Sequence, residues 1–179
     1  MSTGSAIKLE TQSLHDTLEG LPFNQKMFEG NQTGPERAVY LSSMLEIFEV
    51  LDPYVPEHMR RAHLIDHDIV ELAVLWCDAM PLAYTYAQYL KHICPDLRAH
   101  IYLNYMGFLY GGQIMKKRYP TSSSMYEFDD LPASRQLIRD KFVEDNSAPH
   151  YRSYVHEVKT GFRFHIALSK QLGDYFHVE

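Results

Sequence analysis

The sequence predicts an all-α fold, on three observations. Apolar residues recur at helical spacing along most of the chain. Period-two alternation bounded by hairpin turns is missing. The stretch YLNYMGFLYGGQIMKK, from Tyr102 to Lys117, is apolar and helix-length yet holds Gly107, Gly111 and Gly112. Glycine costs about 1 kcal/mol relative to alanine inside a helix, so three glycines this close need a reason. The reason is a kink, a close helix neighbour, or a flat object lying against the backbone. No acidic residue follows at dinucleotide-binding spacing and no strand–turn–helix pattern surrounds the stretch, which argues against a phosphate loop.

The elements follow in order. A first helix runs from about Ser5 to Glu19, with Ile7, Leu14 and Leu18 on related faces. Gly20-Leu21-Pro22 interrupts it, and a short helix from Phe23 to Phe28 is closed by Gly30. Thr33-Gly34-Pro35-Glu36 is a start signal with proline in the first turn. Tyr40, Met44, Phe48 and Leu51 then form an apolar stripe that stops at Asp52-Pro53. Pro56 to Asp78 reads as a further helical stretch with a break near Asp66. Another helix spans Pro81 to Ile93 and stops at Cys94-Pro95. The glycine-bearing helix starts near Asp96 and ends at Arg118-Tyr119-Pro120, its last turn basic as a helix C-terminus favours. Thr121 to Ser124 is a loop, and Met125 to Asp130 an acidic-aromatic surface segment. Leu131-Pro132 opens a helix to about Asn146, and Ala148-Pro149 opens the last one, to Asp174.

Composition bounds the function. The 179 residues, 45% of them hydrophobic, suit one globular domain covering 1–179, without repeats or low-complexity tracts. A net charge of −6 disfavours nucleic-acid binding. No uncharged run reaches the roughly 18 apolar residues of a membrane span. The opening MSTGSAIKLE has no hydrophobic signal core, so the expected location is intracellular and cytoplasmic, away from membranes. Two isolated cysteines, Cys77 and Cys94, fit reduced buried thiols and no disulfide framework. Thirteen tyrosines suit a core that also lends hydroxyls to a polar-edged ligand.

His15 is the second signal. Glu19 follows one turn later and can bond the imidazole from position i+4. A neutral histidine oriented by a carboxylate is a common way to present a metal or haem-iron ligand. His63 and His67 form another i,i+4 pair, beside Asp66 and Asp68, but lack further ligands of the right type, so a polar helix face is the expected role. Glu46 and Glu71 lack the Glu-x-x-His partners that a diiron bundle needs.

Taken together, LHDTLEGLPFNQKMFEG (Leu14 to Gly30), YLNYMGFLYGGQIMKKR and RQLIRDK (Arg135 to Lys141) resemble the haem oxygenase family in order and spacing. The resemblance implies haem b sandwiched between a proximal N-terminal helix and a glycine-kinked distal helix. It implies His15 as the iron ligand, with Glu19 one turn on and Phe23 beyond. Lys8, Arg135 and Arg139 would pair with the haem propionates; Tyr102 and Phe162 would line the pocket. Gly107-Phe108-Leu109-Tyr110-Gly111-Gly112-Gln113 stands where the family has a G-D-x-S-G-G-Q type motif, so Gly107 and Gly111 would meet the ring. The implied activity is oxidative cleavage of haem to biliverdin, carbon monoxide and iron, using O2. Its electrons would come from an external donor, a ferredoxin or a reductase, because no flavin or nicotinamide motif is present.

Phe108 departs from that pattern. The family places an aspartate there to organise distal water, and a phenyl ring neither donates, accepts nor holds water. The ring is expected to dry the distal side, with Tyr110 adding bulk on the same region of the helix. Asn104, Tyr102, Tyr110 and His165 are the polar side chains expected to substitute. The alternative reading is a haem-binding or haem-carrier protein of the same fold with little oxygenase activity.

Overall fold

The computed structural model describes residues 3–74 and 77–178, and among them every regular element is helical. Eight α-helices follow in chain order: α1 (Thr3–Glu19), α2 (Pro22–Glu29), α3 (Gly34–Leu51), α4 (Ala62–Glu71), α5 (Pro81–His92), α6 (Leu97–Arg118), α7 (Leu131–Phe142) and α8 (Tyr151–Phe176). Short 3-10 turns at Asp52–Tyr54, Glu57–Met59 and Ser124–Tyr126 join them. The all-α expectation stands.

Local signals account for several boundaries. α2 starts on Pro22 and ends where Gly30 takes the left-handed conformation, φ 81°. α3 opens with a reciprocal box: the Thr33 hydroxyl accepts from the Glu36 amide, and the Glu36 carboxylate accepts from the Thr33 amide at 2.6 Å. Lys26 holds the same carboxylate at 2.6 Å and so ties α2 to α3.

The stretch from Pro56 to Asp78 departs from the expectation. The helix is confined to Ala62–Glu71, Asp66 lies inside it, and the break falls at Arg60-Arg61. The cause is tertiary. The buried Arg61 guanidinium donates to the carbonyls of His58, Met59, Arg60 and Glu127. Asp52 then accepts from the amides of Arg61 and Ala62 at 2.8 and 2.7 Å and caps α4 from another segment. Beyond α4 the chain turns at Ala73, φ 51°. Leu75 and Trp76, within the expected stretch, lie outside the described residues. α7 also stops early, at Phe142, because the Phe142 carbonyl accepts from the buried Tyr154 hydroxyl at 2.8 Å. α8 begins three residues later than Ala148 predicts, at Tyr151, and runs on to Phe176.

The main core gathers α3, α5, α6 and the C-terminal part of α8 around Leu41, Ile47, Phe48, Leu51, Tyr86 and Tyr105. A smaller cluster joins Ile7 of α1, Ala99 of α6 and Tyr154, Val158 and Phe162 of α8, with Leu14, Leu18, Tyr102 and Leu103 partly buried against it. Burial of side chains this size stabilises by about 1.5–3 kcal/mol each. Gly161 is what lets α6 approach α8: a Cβ there would stand 2.5 Å from Leu103 Cδ2. α1 and α6 each lie along α8, and their side chains meet in the smaller cluster. Among the described residues no helix is long and apolar enough to cross a membrane.

Candidate functional site

The three glycines of α6 divide into two roles. Gly112 faces the core, where a Cβ would come within 2.4 Å of the Tyr126 ring. Gly107 and Gly111, four residues apart on one face, are different: a Cβ on either would meet nothing within 4 Å. Packing does not explain the last two. The α6 backbone is bare on that face and can receive a flat apolar ligand at contact distance. α6 is continuous across the glycines, from Leu97 to Arg118.

On α1, His15 and Glu19 stand half-exposed with Nδ1 and Oε2 3.6 Å apart. That geometry turns Nδ1 toward the carboxylate and leaves Nε2 for a ligand. The His15 ring meets Phe162 of α8 edge-on at 6.0 Å between centroids, so α8 forms the floor beneath it. Phe23 is fully buried in the main core, 1% exposed, beside Tyr40 and Phe176 rather than beside His15. Tyr102 is half-buried and leans on Tyr154 at 6.5 Å. Lys8 lies exposed on α1.

Arg135 and Arg139 come together on Tyr110. Arg135 Nε and Nη2 donate to the Leu109 carbonyl at 3.2 and 2.6 Å, with the guanidinium 4.0 Å over the Tyr110 ring. Arg139 Nη2 donates to the Tyr110 hydroxyl at 2.5 Å. Two guanidiniums therefore sit beside the Gly107–Gly111 face, and the exposed Tyr110 joins them.

Phe108 lies elsewhere than expected. It does not share a face with Tyr110, since residues two apart point to nearly opposite sides of a helix. Its ring is 6% exposed, stacked on Phe48 at 4.4 Å and edge-on to Tyr126 at 5.0 Å. The phenyl group is a core side chain that fastens α6 to α3. The segment Met125 to Asp130 also differs from the expected surface loop. Met125 and Tyr126 are buried, and Asp68 accepts from the Ser124 and Met125 amides at 2.9 and 3.0 Å. That duty, together with His67 and Glu71 lying exposed beside it, marks the α4 cluster as structural. His63 is not part of it.

Asn104 and His165, expected as polar groups of the distal side, belong to a buried polar network behind α6. Glu157 of α8 accepts from the Tyr89 hydroxyl at 2.6 Å and the Cys94 thiol at 3.7 Å, with His100 Nε2 at 3.1 Å. The Tyr86 hydroxyl lies 2.7 Å from His100 Nδ1, and Asn104 links Tyr86 and His100 to His165. Burial lowers the pKa of His100 despite Glu157, and pushes the Cys94 thiol up to about 12. Cys94, His100 and Glu157 offer donor atoms within 4.8 Å of one another. Hydrogen bonds already account for all three, and a thiol that resists ionising is a poor soft-metal ligand. Both cysteines are free and half-buried. Glu157 and His100 are 57 residues apart, so no local spacing could have announced them. A separate cavity of about 110 Å³ lies among His58, Phe128, Asp130 and Leu137 and includes no residue of α1, α6 or α8.

A half-exposed histidine on α1, bare glycine backbone on α6 and an arginine pair gathered on Tyr110 are the parts that a flat-ligand site calls for. The chain belongs to the haem oxygenase family, whose model, described as heme oxygenase, matches residues 1–171. Heme oxygenase 1 of Bos taurus and that of Homo sapiens are each 24% identical over 202 residues, covering 93% of this chain and 70% of theirs. Heme oxygenase-1 of the cyanobacterium Synechocystis, solved in complex with heme, superposes with a TM-score of 0.81 at 17% identity, covering 99% of this chain and 95% of that one. The heme oxygenase of Leptospira interrogans gives a TM-score of 0.81 at 19% identity, over 96% of this chain and all of that one.

Proposed function

We propose that this protein binds haem b in the cleft between α1 and α6 and acts as a haem oxygenase. The reaction is oxidative opening of the macrocycle to biliverdin, carbon monoxide and iron, with O2 and electrons from an external donor such as a ferredoxin or a reductase. The observation that carries the reading is His15: half-exposed, backed by Glu19 at 3.6 Å, and seated on Phe162 at the cleft floor.

The residues present fit haem. The open face at Gly107 and Gly111 accommodates the ring where a side chain would stand between it and the backbone. His15 Nε2 would bind the iron, with Glu19 beside the imidazole's other nitrogen. Arg135 and Arg139 would pair with the propionates, with Lys8 contributing from α1; Tyr110 keeps the two guanidiniums together. Tyr102 and Phe162 supply apolar wall and floor. Haem, once bound, supplies the iron at which O2 is activated and is itself the substrate. Asn104, on the same stretch of α6, directs its amide away from solvent into the polar network.

Hemin titration tests the reading. A histidine-ligated Soret band is expected, and it should be lost in His15→Ala. Ascorbate or reduced ferredoxin in air should then convert the band to biliverdin absorbance. A Soret band that survives reduction in air unchanged would favour the carrier alternative, which Phe108 motivates. No Soret band at all would refute haem binding.

A further inference from the structure

Arg135 and Arg139 form a pair of cations without an anion. Among the described residues neither guanidinium lies against a carboxylate, and both converge on the Tyr110 ring. Two like charges on one ring disfavour each other, and an anionic group is what such a pair accepts. Arg135 is fixed in place: Nε and Nη2 both donate to the Leu109 carbonyl, at 3.2 and 2.6 Å, with the guanidinium 4.0 Å over the ring. Its Nη1 bonds to nothing among the described residues.

Tyr110 also has a donor to spare. Arg139 Nη2 donates to the phenol oxygen at 2.5 Å, and a guanidinium has no acceptor to offer in return. The phenol's own proton is therefore not used by Arg139, and among the described residues no other group accepts it. The side chain is 46% exposed. It flanks the face on which Gly107 and Gly111 are bare, three residues after the first and adjacent to the second on the same continuous helix. A free O–H, two uncompensated guanidiniums and open backbone thus meet on one stretch of α6.

Stiffness separates the phenol from the arginines. A tyrosine turns about two torsions only, and Arg135 covers one face of this ring, whereas a long arginine stem follows the group it binds. A flat ligand tied at its centre by one histidine nitrogen stays free to turn in its own plane until an edge contact stops it. The family motif has serine at position 110, which offers no ring for Arg135 to stack on, so the arrangement is this chain's own. We propose that Tyr110 is a specificity-determining residue. Its hydroxyl donates to one carboxylate of the bound macrocycle, beside the Arg139 guanidinium, and so sets how the ring is turned and which meso carbon is opened. The proposal rests on the haem reading above.

Two measurements on Tyr110→Phe test it. The variant keeps the ring beneath Arg135 and removes only the hydroxyl, so its helical circular dichroism should match that of the parent. Titrations with hemin and with hemin dimethyl ester, whose edge carries no charge, separate a carboxylate contact from a wall contact. Hemin affinity should fall about tenfold, as for a partly exposed hydrogen bond to a charged group, while affinity for the ester should change by less than about twofold. An equal loss for both ligands, or no loss for either, would overturn the proposal. In the cyanide complex of the ferric protein, the hyperfine-shifted methyl resonances of the macrocycle report its rotation relative to the His15 imidazole. Tyr110→Phe should displace these resonances or divide them into further sets. An unmoved pattern would overturn the proposal whatever the affinity, because the phenol would then not set the turn of the ring. Either of these failures, with His15-dependent hemin uptake intact, leaves the haem reading standing. Failure of the unaltered protein to take up hemin would overturn that reading and this proposal with it.

Discussion

Alanine at Gly107 or Gly111 should strengthen the fold and weaken the function. Both glycines are helical, and a Cβ on either meets nothing within 4 Å. The added methyl therefore costs no packing and removes backbone freedom from the unfolded chain, worth about 0.5–1 kcal/mol per site in a helix interior. For a domain of this size that corresponds to a rise in melting temperature of roughly 2–4 °C per kcal/mol. In the haem complex the same methyl would stand between backbone and ring, and should weaken hemin affinity tenfold or more, a factor equal to about 1.4 kcal/mol. Gly112→Ala is the control with opposite sign. Its Cβ would lie 2.4 Å from the buried Tyr126 ring, and overpacking of this kind costs about 1–3 kcal/mol. Calorimetry of haem-free protein and hemin titration of each variant give the two readouts. Gly107→Ala and Gly111→Ala variants that are more stable yet bind hemin as tightly as the parent would refute the assignment of this face to the ring.

His15→Ala should leave helical circular dichroism and melting temperature nearly unchanged, because the side chain is 49% exposed, while the histidine-ligated spectrum disappears. Arg139→Ala should weaken hemin binding and, during turnover, broaden the set of meso carbons attacked; the contact is worth about 1.5–3 kcal/mol if desolvated and less at its exposed position. Stability should also fall as the pH drops from about 6.5 toward 4. His165 has its folded pKa depressed to about 4, so its favourable contribution is fully present above the unfolded value and is lost as pH falls through the folded one. Denaturant titrations across that range should show a smaller slope for His165→Gln than for the parent. Phe108→Asp should lower the melting temperature sharply, because it deletes a ring stacked between Phe48 and Tyr126 and buries a carboxylate in its place; core Phe→Ala changes alone cost about 3–5 kcal/mol. A variant as stable as the parent would mean that residue 108 can turn toward the cleft.

What was legible in the sequence was whatever is decided within one or two helical turns. Thr33 to Glu36, Gly30 and Pro22 carry their boundaries in their own side chains or backbone preferences. His15 with Glu19, and Arg135 with Arg139, are four residues apart, and helical geometry alone puts each pair on one face. The failures share a cause of the opposite kind. The start of α4 is set by Asp52 and by Arg61 reaching Glu127, and the end of α7 by Tyr154. Tyr110 as the common partner of the arginines, and Glu157 as the anchor of His100, join separate helices across 29 and 57 residues. Nothing in a local pattern distinguishes such partners from any other tyrosine or glutamate.

Phe108 follows the same logic. The motif aligns a residue with a role, but where a side chain points depends on what its neighbours offer it. A carboxylate at position 108 would have to find polar partners, whereas a phenyl ring finds Phe48 and Tyr126 and gains their contact area. Phe108 is thereby turned into the core, where it fastens α6 to α3. Asn104 is committed to the His100 carbonyl and to His165, and Tyr110 to Arg139.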